Sequence, residues 1–494
     1  MRLQFCRSSY FLALLGAVVL LIPTFLNGYP FFYYDSSAYV RGPDFAIREI
    51  INPKLTTVWS GVEVASDKIL PASSSPGEAA KTILSGRSVY YGFLVYVGYV
   101  LSDFWLAAFL QAYIVAAIVG LLFLRCWQIF SARRYFLTLT FLSVLTPLGF
   151  FAGFMMPDIF AAAAILAIVM LFVYSQQLEL IDVIFLAGLL ILSFAFHSSH
   201  IAFALVMLPL LTIVAIFFAK DRVARFRALT LVIFCLTAAG ALELVFNQIT
   251  FKVVGRFPLR LPYLTARLTE LDPGLRYLDH ACTPPQYAVC AYRARLPLNW
   301  NAFMFDNDAQ TGVFAPADFA TKRQLSDEQV RFALHVFLFE PAQTIRGLMG
   351  DFGRQLVMFS VNDAKMPGVG ENFPQQIGEK IKASNIYSYP EIIRQWSTVT
   401  YVVTIFSLAV VIFGLFRLRS NHEMSAFALS VWITLLGVLA NAFVCAVLAS
   451  PFDRFQARVI WLVPLLAFGT WFVNERLGSS VVYCDRAVRT CLAD

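Results

Sequence analysis

Long apolar runs, separated by short polar turns, recur from one end of the chain to the other. A helix of about 20 apolar residues matches the bilayer core, which is about 30 Å thick. Because a helix satisfies its own backbone hydrogen bonds, it is the spanning structure that such runs favour. Hydrophobic residues make up 59% of the 494 and charged residues only 14%, which is too apolar for a soluble protein. The sequence therefore predicts an all-α polytopic membrane protein.

Basic residues at the ends of the apolar runs give each run a direction across the membrane. Arginine and lysine concentrate on the cytoplasmic side, so we place Arg125, Arg133 and Arg134 inside. The short stretch 88–101 then lies along the outer interface, since counting it as a crossing would invert every later basic cluster. The predicted spans, about ten, are 11–26, 104–124, 135–151, 158–174, 183–196, 201–218, 228–247, 397–416, 425–448 and 459–473.

This orientation divides the chain into three parts. Residues 1–247 form an N-terminal membrane module whose first external loop, 27–103, holds interfacial helices, one of them at 44–51. Residues 248–395 form a mostly helical periplasmic segment with helices at 326–338 and 341–356. Residues 396–494 hold the last transmembrane helices and a tail. We expect both termini in the cytoplasm and no nucleic-acid partner, because the net charge of +7 comes mostly from residues that flank the spans.

Two cysteines fall in the predicted external segment. Cys282 and Cys290 are separated by a loop that contains a Pro-Pro turn. An oxidising exterior favours a disulfide across such a loop, although two unpaired thiols remain an alternative. We therefore predict a disulfide between them.

Reactive side chains recur at the predicted outer turns, whereas the interiors of the spans carry almost no charge. Asp35 lies in the first external loop, in the sequence Tyr-Tyr-Asp-Ser-Ser-Ala-Tyr. The later outer turns contribute Asp158, His197, His200, Asp453, Arg454 and Arg458. This one-sided distribution predicts a site that faces the outside of the cell.

Each of these residues also has a purely structural interpretation. Asp158 is placed where a helix N-cap is expected. The two histidines suit an interface, and the two arginines suit lipid headgroup anchors, although anchors concentrate on the other side. Asp35 has the strongest case for function, because we expect the aromatic residues at 31–34 to press this loop onto the membrane surface.

The residue types on the outer side suit transfer from a lipid-phosphate carrier. A carboxylate can deprotonate an acceptor hydroxyl. Arginine binds phosphate through paired, charged hydrogen bonds and neutralises the charge that develops on a leaving phosphate. The predicted partners are therefore a lipid-phosphate donor, an acceptor that carries a hydroxyl group, and membrane lipids.

The order of parts resembles the GT-C superfamily of membrane glycosyltransferases, particularly bacterial members similar to protein mannosyltransferases and aminoarabinose transferases. Such proteins lead from a first span into an external loop with the catalytic acid, then into interfacial helices and a second span that ends in basic residues. The matching parts here are 11–26, 34–39, 86–92 and 104–134.

The resemblance implies that Asp35 is the catalytic acid or base, and we add Asp158 as a second candidate carboxylate. It also implies that the late motif Asp453-Arg454-Phe455 holds the carrier phosphate, with Arg458 beside it. The remaining candidate substrate-binding residues are Tyr34, Tyr39, Arg87, His197, His200 and Asp453.

The chain departs from the superfamily in its first loop. Many members have two adjacent acids there, whereas Asp35 is followed by a serine. One carboxylate is a poor site for a divalent cation, so a metal is an option only if Asp158 or Asp44 joins it. We assign no metal ligand and no definite cofactor.

Three functions fit the pattern to different degrees. The first is a glycosyltransferase that moves a sugar from a polyprenyl-phosphate donor to a lipid or glycan on the periplasmic face. The second is a lipid or glycan transporter, which the scarcity of charge at the membrane midplane disfavours. The third is a polymerase or ligase of the O-antigen type, in which external arginines and a histidine act on a lipid-linked glycan.

Overall fold

A computed structural model describes residues 2–51, 56–59, 85–217, 221–362, 365–418 and 425–491, where the regular structure is helical. The first helices are α1 (Arg2–Leu20), α2 (Ile22–Asn27), α3 (Ser36–Ile51), α4 (Val89–Ser102), α5 (Trp105–Leu121), α6 (Ala132–Leu145), α7 (Leu148–Ala152), α8 (Ile159–Tyr174), α9 (Leu180–Phe196), α10 (Ser198–Phe217) and α11 (Arg222–Val254). The later helices are α12 (Tyr263–Thr269), α13 (Asp272–Ala281), α14 (Trp300–Phe305), α15 (Phe319–Phe339), α16 (Pro341–Val357), α17 (Gln375–Ala383), α18 (Asn385–Ser388), α19 (Glu391–Leu418), α20 (Ser425–Leu448), α21 (Asp453–Ile460) and α22 (Leu462–Cys491).

Six helical stretches in the described residues are long and apolar enough to cross a bilayer. They are Trp105–Cys126, Ser198–Phe217, Arg222–Val254, Glu391–Arg417, Ala426–Leu448 and Asp453–Arg476. The stretches Phe11–Leu20, Val89–Ser102, Ile159–Tyr174 and Leu180–Phe196 are equally apolar but shorter. The chain is therefore an all-α membrane protein.

The helix bounds differ from the predicted spans in several places. The predicted span 11–26 is divided between α1 and α2, and the predicted span 459–473 between α21 and α22. The predicted span 135–151 is split into α6 and α7 at Thr146 and Pro147, since proline has no N–H to continue the helical hydrogen bonds. The helix predicted at 44–51 starts earlier, directly after Asp35, and contains Pro43. The helices predicted at 326–338 and 341–356 are confirmed as α15 and α16.

Helix α8 lies at the centre of the membrane part. All 16 of its residues are buried, which matches a helix that is apolar on every side. Its first turns include four consecutive alanines, Ala161 to Ala164, and small side chains let neighbouring helices approach closely. Asp158 immediately precedes α8, so this central helix places the Asp158 carboxylate at one end of the bundle.

Helices α4 and α5 form a tight hairpin. Asp103 and Phe104 have positive φ angles of 52° and 75°, and the Phe104 N–H donates to the carbonyl oxygen of Gly98 at 3.0 Å. Farther along, the Tyr91 hydroxyl donates to the Gln111 side chain at 2.8 Å. Helix α4 therefore folds back against α5, and its placement at the outer interface stays a prediction.

Gly98→Ala is expected to lower stability by about 1–3 kcal/mol, the usual cost of overpacking a tight contact. A Cβ at Gly98 would lie 2.6 Å from the Ala107 Cβ and 2.8 Å from its backbone nitrogen. The melting temperature of the purified protein measures the effect. Gly188→Ala is the matched control, because a Cβ there meets no atom within 4 Å; equal loss in both variants would contradict the prediction.

Whereas Phe359 and Ile377 of the segment between α11 and α19 belong to the core of the membrane helices, residues 259–336 of that segment pack around an apolar core of their own. Members of this core are Leu278, Phe303, Phe314, Phe332 and Val336. Cys282 and Cys290 form a disulfide and pack against it. The same core includes Ala449 near the end of α20, so this segment is packed against the turn that leads into α21.

Candidate active site

The loop before Asp35 is held inside the protein. Phe31 and Phe32 are buried; the Phe31 N–H donates to the Gly153 carbonyl oxygen at 2.9 Å, and the Phe32 ring lies edge-on to Phe104 at 5.1 Å. The expectation that these aromatic residues press the loop onto the membrane surface is therefore wrong for Phe31 and Phe32. Their contacts instead bring Asp35 close to the segment that precedes Asp158.

Asp35 pairs with Arg87, which lies 52 residues later in the chain. The two side chains form an ion pair, and the carboxylate remains 32% exposed. Arg87 is positioned by the start of α4, where the Ser88 hydroxyl caps the helix by accepting from the Tyr90 and Tyr91 N–H groups. Asp35 is thus both fixed by a cation and accessible from outside the protein.

Arg454 and Arg458 lie one helical turn apart on α21 and face the same carboxylate. Arg454 Nε is 3.7 Å, and Arg458 Nη1 3.5 Å, from Asp158 Oδ1. Arg454 is 9% exposed and Arg458 only 1%, so neither side chain is a lipid headgroup anchor. Asp158 makes no side-chain cap bond to α8, so the N-cap interpretation of Asp158 is wrong.

Arg458 is held by several side chains besides Asp158. Its guanidinium donates to Asn441 Oδ1 at 2.8 and 3.2 Å and to the Ser199 hydroxyl at 3.3 Å. Cys445 Sγ is also within 3.3 Å. These contacts join α20, α10 and α21, and they fix the orientation of the guanidinium plane.

Tyr33 and Tyr39 connect the Asp35 pair to the arginine pair. The Arg454 guanidinium lies over the Tyr33 ring, 4.0 Å from its centre, and Tyr33 precedes Asp35 by two residues. Burial first, and then the charge of Asp35, raise the pKa of the Tyr39 hydroxyl, while Arg87 and Arg454 act in the opposite sense. Tyr39 therefore lies within electrostatic range of both pairs.

The two histidines are close to Arg458 and differ in their hydrogen bonds. Burial first, and then Arg458, Arg454 and Arg87, lower the pKa of His197 to about 3, so its ring is neutral at physiological pH. The Ser199 N–H donates to His197 Nδ1 at 3.1 Å, which places the remaining ring proton on Nε2.

His200 is buried, so it is not an interfacial polar residue. Its Nδ1 lies 2.7 Å from the Ser193 carbonyl oxygen, and since a carbonyl only accepts, Nδ1 carries a proton. Within the described residues, His200 Nε2 and Asp158 Oδ2 are among fourteen buried side-chain nitrogen and oxygen atoms with no hydrogen-bond partner.

Three guanidinium groups lie at the cluster. Arg87 pairs with Asp35, and Arg454 and Arg458 both face the Asp158 carboxylate. Arginine is the side chain best suited to binding phosphate, because its planar fork of N–H groups matches the phosphate oxygens. A phosphate with two or more free oxygens suits paired arginines.

The carboxylates do not suit a divalent cation. Asp35 and Asp158 face arginines, and Asp44 accepts from Arg48 and from Thr57, each at 3.0 Å. In the part of the chain that the structure describes, no three His, Cys, Asp or Glu side chains converge as metal ligands. Asp44 therefore belongs to the structure of the first loop and does not join Asp35.

Two predicted substrate-binding residues contact the segment between α11 and α19. The Tyr34 hydroxyl donates to the Pro367 carbonyl oxygen, and Asp453 Oδ1 accepts from the Ser360 N–H at 2.8 Å. Both side chains thus attach the site to that segment. Tyr263 of the same segment lies near the Asp35 pair. Burial raises the pKa of its hydroxyl, while Arg87 lowers that pKa and Asp35 raises it, so both charges are within electrostatic range of the hydroxyl.

Gln355 of α16 fixes the turn from which α21 begins. Its Nε2 donates to the Phe452 carbonyl oxygen at 2.8 Å, and its Oε1 accepts from the Phe452 N–H at 3.0 Å. Arg454 follows two residues later. Helix α16 therefore sets the starting direction of the helix that carries both arginines.

Gln355→Ala is expected to destabilise the protein by about 1–3 kcal/mol, because both backbone groups of Phe452 lose their partner. Turnover of substrate should also fall, since Arg454 is no longer held in place. The melting temperature measures the first effect and an activity assay the second. Gln324→Ala, at an exposed glutamine of α15, is the control, and an equal loss there would contradict this role of Gln355.

Sequence reasoning missed Tyr33, Ser199, Asn441 and Tyr263. Asn441 gave the clearest signal, because an amide inside an apolar span needs a partner there. Comparison with protein-family models and with curated proteins finds no match for this chain.

Proposed function

We propose that the protein is a membrane glycosyltransferase that moves a sugar from a polyprenyl-phosphate donor to a lipid or glycan acceptor outside the cytoplasm. One observation supports this proposal most. The accessible carboxylate of Asp35 and the buried pair Arg454 and Arg458 are brought together around Tyr33 and Tyr39. These groups come from distant parts of the sequence, and a general base beside a phosphate site is the arrangement that sugar transfer from a lipid phosphate needs.

In the proposed reaction the acceptor hydroxyl oxygen attacks the anomeric carbon of the donor sugar. Asp35 takes the hydroxyl proton as the new carbon–oxygen bond forms. The bond between the anomeric carbon and the phosphate oxygen breaks, and its electron pair leaves with the polyprenyl phosphate. Arg454 and Arg458 stabilise the negative charge that grows on that phosphate.

The finer architecture belongs to the same proposal. About ten crossings and a GT-C arrangement account for the apolar helices and for the position of α3 and α4 between α1 and α5. With the arginine-rich ends inside, the site faces the periplasm of a bacterial inner membrane and both termini are cytoplasmic. The prenyl chain of the donor would then lie in the outer leaflet.

A polymerase or ligase of the O-antigen type is the second candidate. It is favoured by His200, whose Nε2 is buried without a partner in the described residues and which lies next to His197, with 5.4 Å between the ring centres. Such an enzyme takes a glycan from a lipid diphosphate. The two candidates therefore differ in the number of phosphates on the released lipid.

A turnover assay with purified protein tests the proposal. A labelled sugar on polyprenyl monophosphate and, in a parallel reaction, a labelled glycan on polyprenyl diphosphate are each incubated with a membrane extract that supplies acceptors, and the lipid product is identified by mass spectrometry. We expect release of polyprenyl monophosphate from the first donor together with a labelled acceptor. Turnover of the second donor alone, with release of polyprenyl diphosphate that depends on His200, would support the ligase, and binding with no bond cleavage would support a transporter.

A further inference from the structure

An apolar stripe runs along the second half of α15, although this helix belongs to the external segment. Val330, Leu334, Phe337 and Leu338 are 58%, 58%, 42% and 74% exposed. Their spacing places them on one face of the helix. The preceding turns of that face carry the charged residues Arg323 and Asp327, so the apolar surface is confined to the end of α15 that joins α16.

Helix α16 continues this surface. Ile345 and Met349, one turn apart, are 48% and 46% exposed. Phe352 lies on the same face, and its ring contacts Phe443 of α20 with 5.9 Å between the centres. The apolar side of α16 is therefore directed along a membrane helix.

The contacts between α16 and α20 indicate how deep in the membrane this surface lies. Phe443 is five residues, or about 7.5 Å of helix, before the end of α20 at Leu448. Leu439, one turn deeper, is 42% exposed, as expected for a residue that faces lipid. The exposed side chains of α16 thus adjoin a surface that must be covered by acyl chains.

We propose that the junction of α15 and α16 is inserted in the outer leaflet, with Leu338, Ile345 and Met349 among the lipid acyl chains. Continuity with the lipid-facing side of α20 determines this occupant. The charged first half of α15 then rises into the headgroups and water. Glu340 at the junction is paired with Arg276, whose Nε lies 2.9 and 3.0 Å from the two carboxylate oxygens, so this carboxylate enters the interface with its charge compensated.

The insertion also bears on how the site is held at a fixed depth in the membrane. Gln355 lies near the end of α16 and holds the turn before Arg454. A helix anchored in the leaflet keeps its depth relative to the bilayer constant. The outer leaflet therefore helps to hold the arginine pair at the level of lipid-borne phosphates.

Photocrosslinking of the full chain in native membranes tests this proposal. Leu338→p-benzoylphenylalanine and Met349→p-benzoylphenylalanine are irradiated, and the adducts are identified by mass spectrometry. The same substitution at Ile405, 66% exposed within α19, is the positive control for lipid, and at Gln324, exposed in the charged half of α15, the negative control.

We expect phospholipid adducts at positions 338 and 349 in yields similar to position 405, and at least about tenfold above position 324. Two tested positions on different helices guard against one variant that fails to fold. Adducts with a second copy of the chain or another protein at both positions would overturn the proposal. So would the absence of lipid adducts at both positions while position 405 gives them.

Discussion

Asp35→Asn is expected to lower the rate of sugar transfer by about 10²–10⁴-fold, the usual contribution of a general base. Asparagine has nearly the same shape as aspartate, and its side-chain oxygen still accepts a hydrogen bond from Arg87. The variant should therefore fold and reach the membrane normally. It cannot take the proton from the acceptor hydroxyl.

The rate is measured as release of polyprenyl phosphate by the purified variant, with expression and melting temperature recorded alongside. Asp103→Asn is the matched control. The Asp103 side chain is 35% exposed, similar to Asp35, and pairs with Lys380 at 2.6 Å. Transfer by Asp35→Asn within twofold of the control would remove Asp35 from the mechanism.

Arg458→Ala is expected to produce the largest loss of stability, about 3–5 kcal/mol, because it takes one partner from a buried charged group. Asp158 would keep only the longer contact to Arg454, at 3.7 Å, and the amide oxygen of Asn441 would lose two hydrogen bonds. Transfer should also be lost. The fall in melting temperature in detergent measures the effect on stability.

A double variant separates the stabilising role of Arg458 from its role in transfer. Asp158→Asn combined with Arg458→Gln removes both charges, so most of the stability should return. Transfer should stay at least about 10²-fold below wild type, because the leaving phosphate has lost a donor. Arg394→Ala, on an 80% exposed side chain, is the neutral control. Full transfer by the double variant would show that Arg458 acts on folding alone.

Much of the fold could be predicted because the apolar runs are long. The length of such a run matches the thickness of the bilayer, and prolines and basic residues mark its ends. These local features predict where each helix lies without information from the rest of the chain. The split between α6 and α7 was visible as Pro147 inside a run. The early start of α3 was not, because Ser36 and Ser37 are polar in sequence yet buried by contacts with distant segments.

The charged residues of the candidate site could be predicted from the sequence, but the ion pairs between them could not. Sorting residues by the side of the membrane selected Asp35, Asp158, Arg454 and Arg458. Tertiary packing determines which carboxylate pairs with which arginine, and the sequence pattern does not indicate that packing. Tyr33 and Tyr34 illustrate the difficulty: neighbours of the same type point apart, one to Arg454 and the other to Pro367.

The pairing of Asp158 with Arg458 spans 300 residues, and this separation bears on biosynthesis. Asp158 enters the bilayer early, whereas its cationic partners emerge from the ribosome only near the end of translation. Contacts so far apart in sequence form slowly and late. Until then the nascent chain carries the Asp158 carboxylate without the arginines that pair with it in the folded protein. Quality control in the cell can recognise such unfinished chains, so a premature stop before codon 454 should yield a protein that is degraded and does not accumulate in an inactive form.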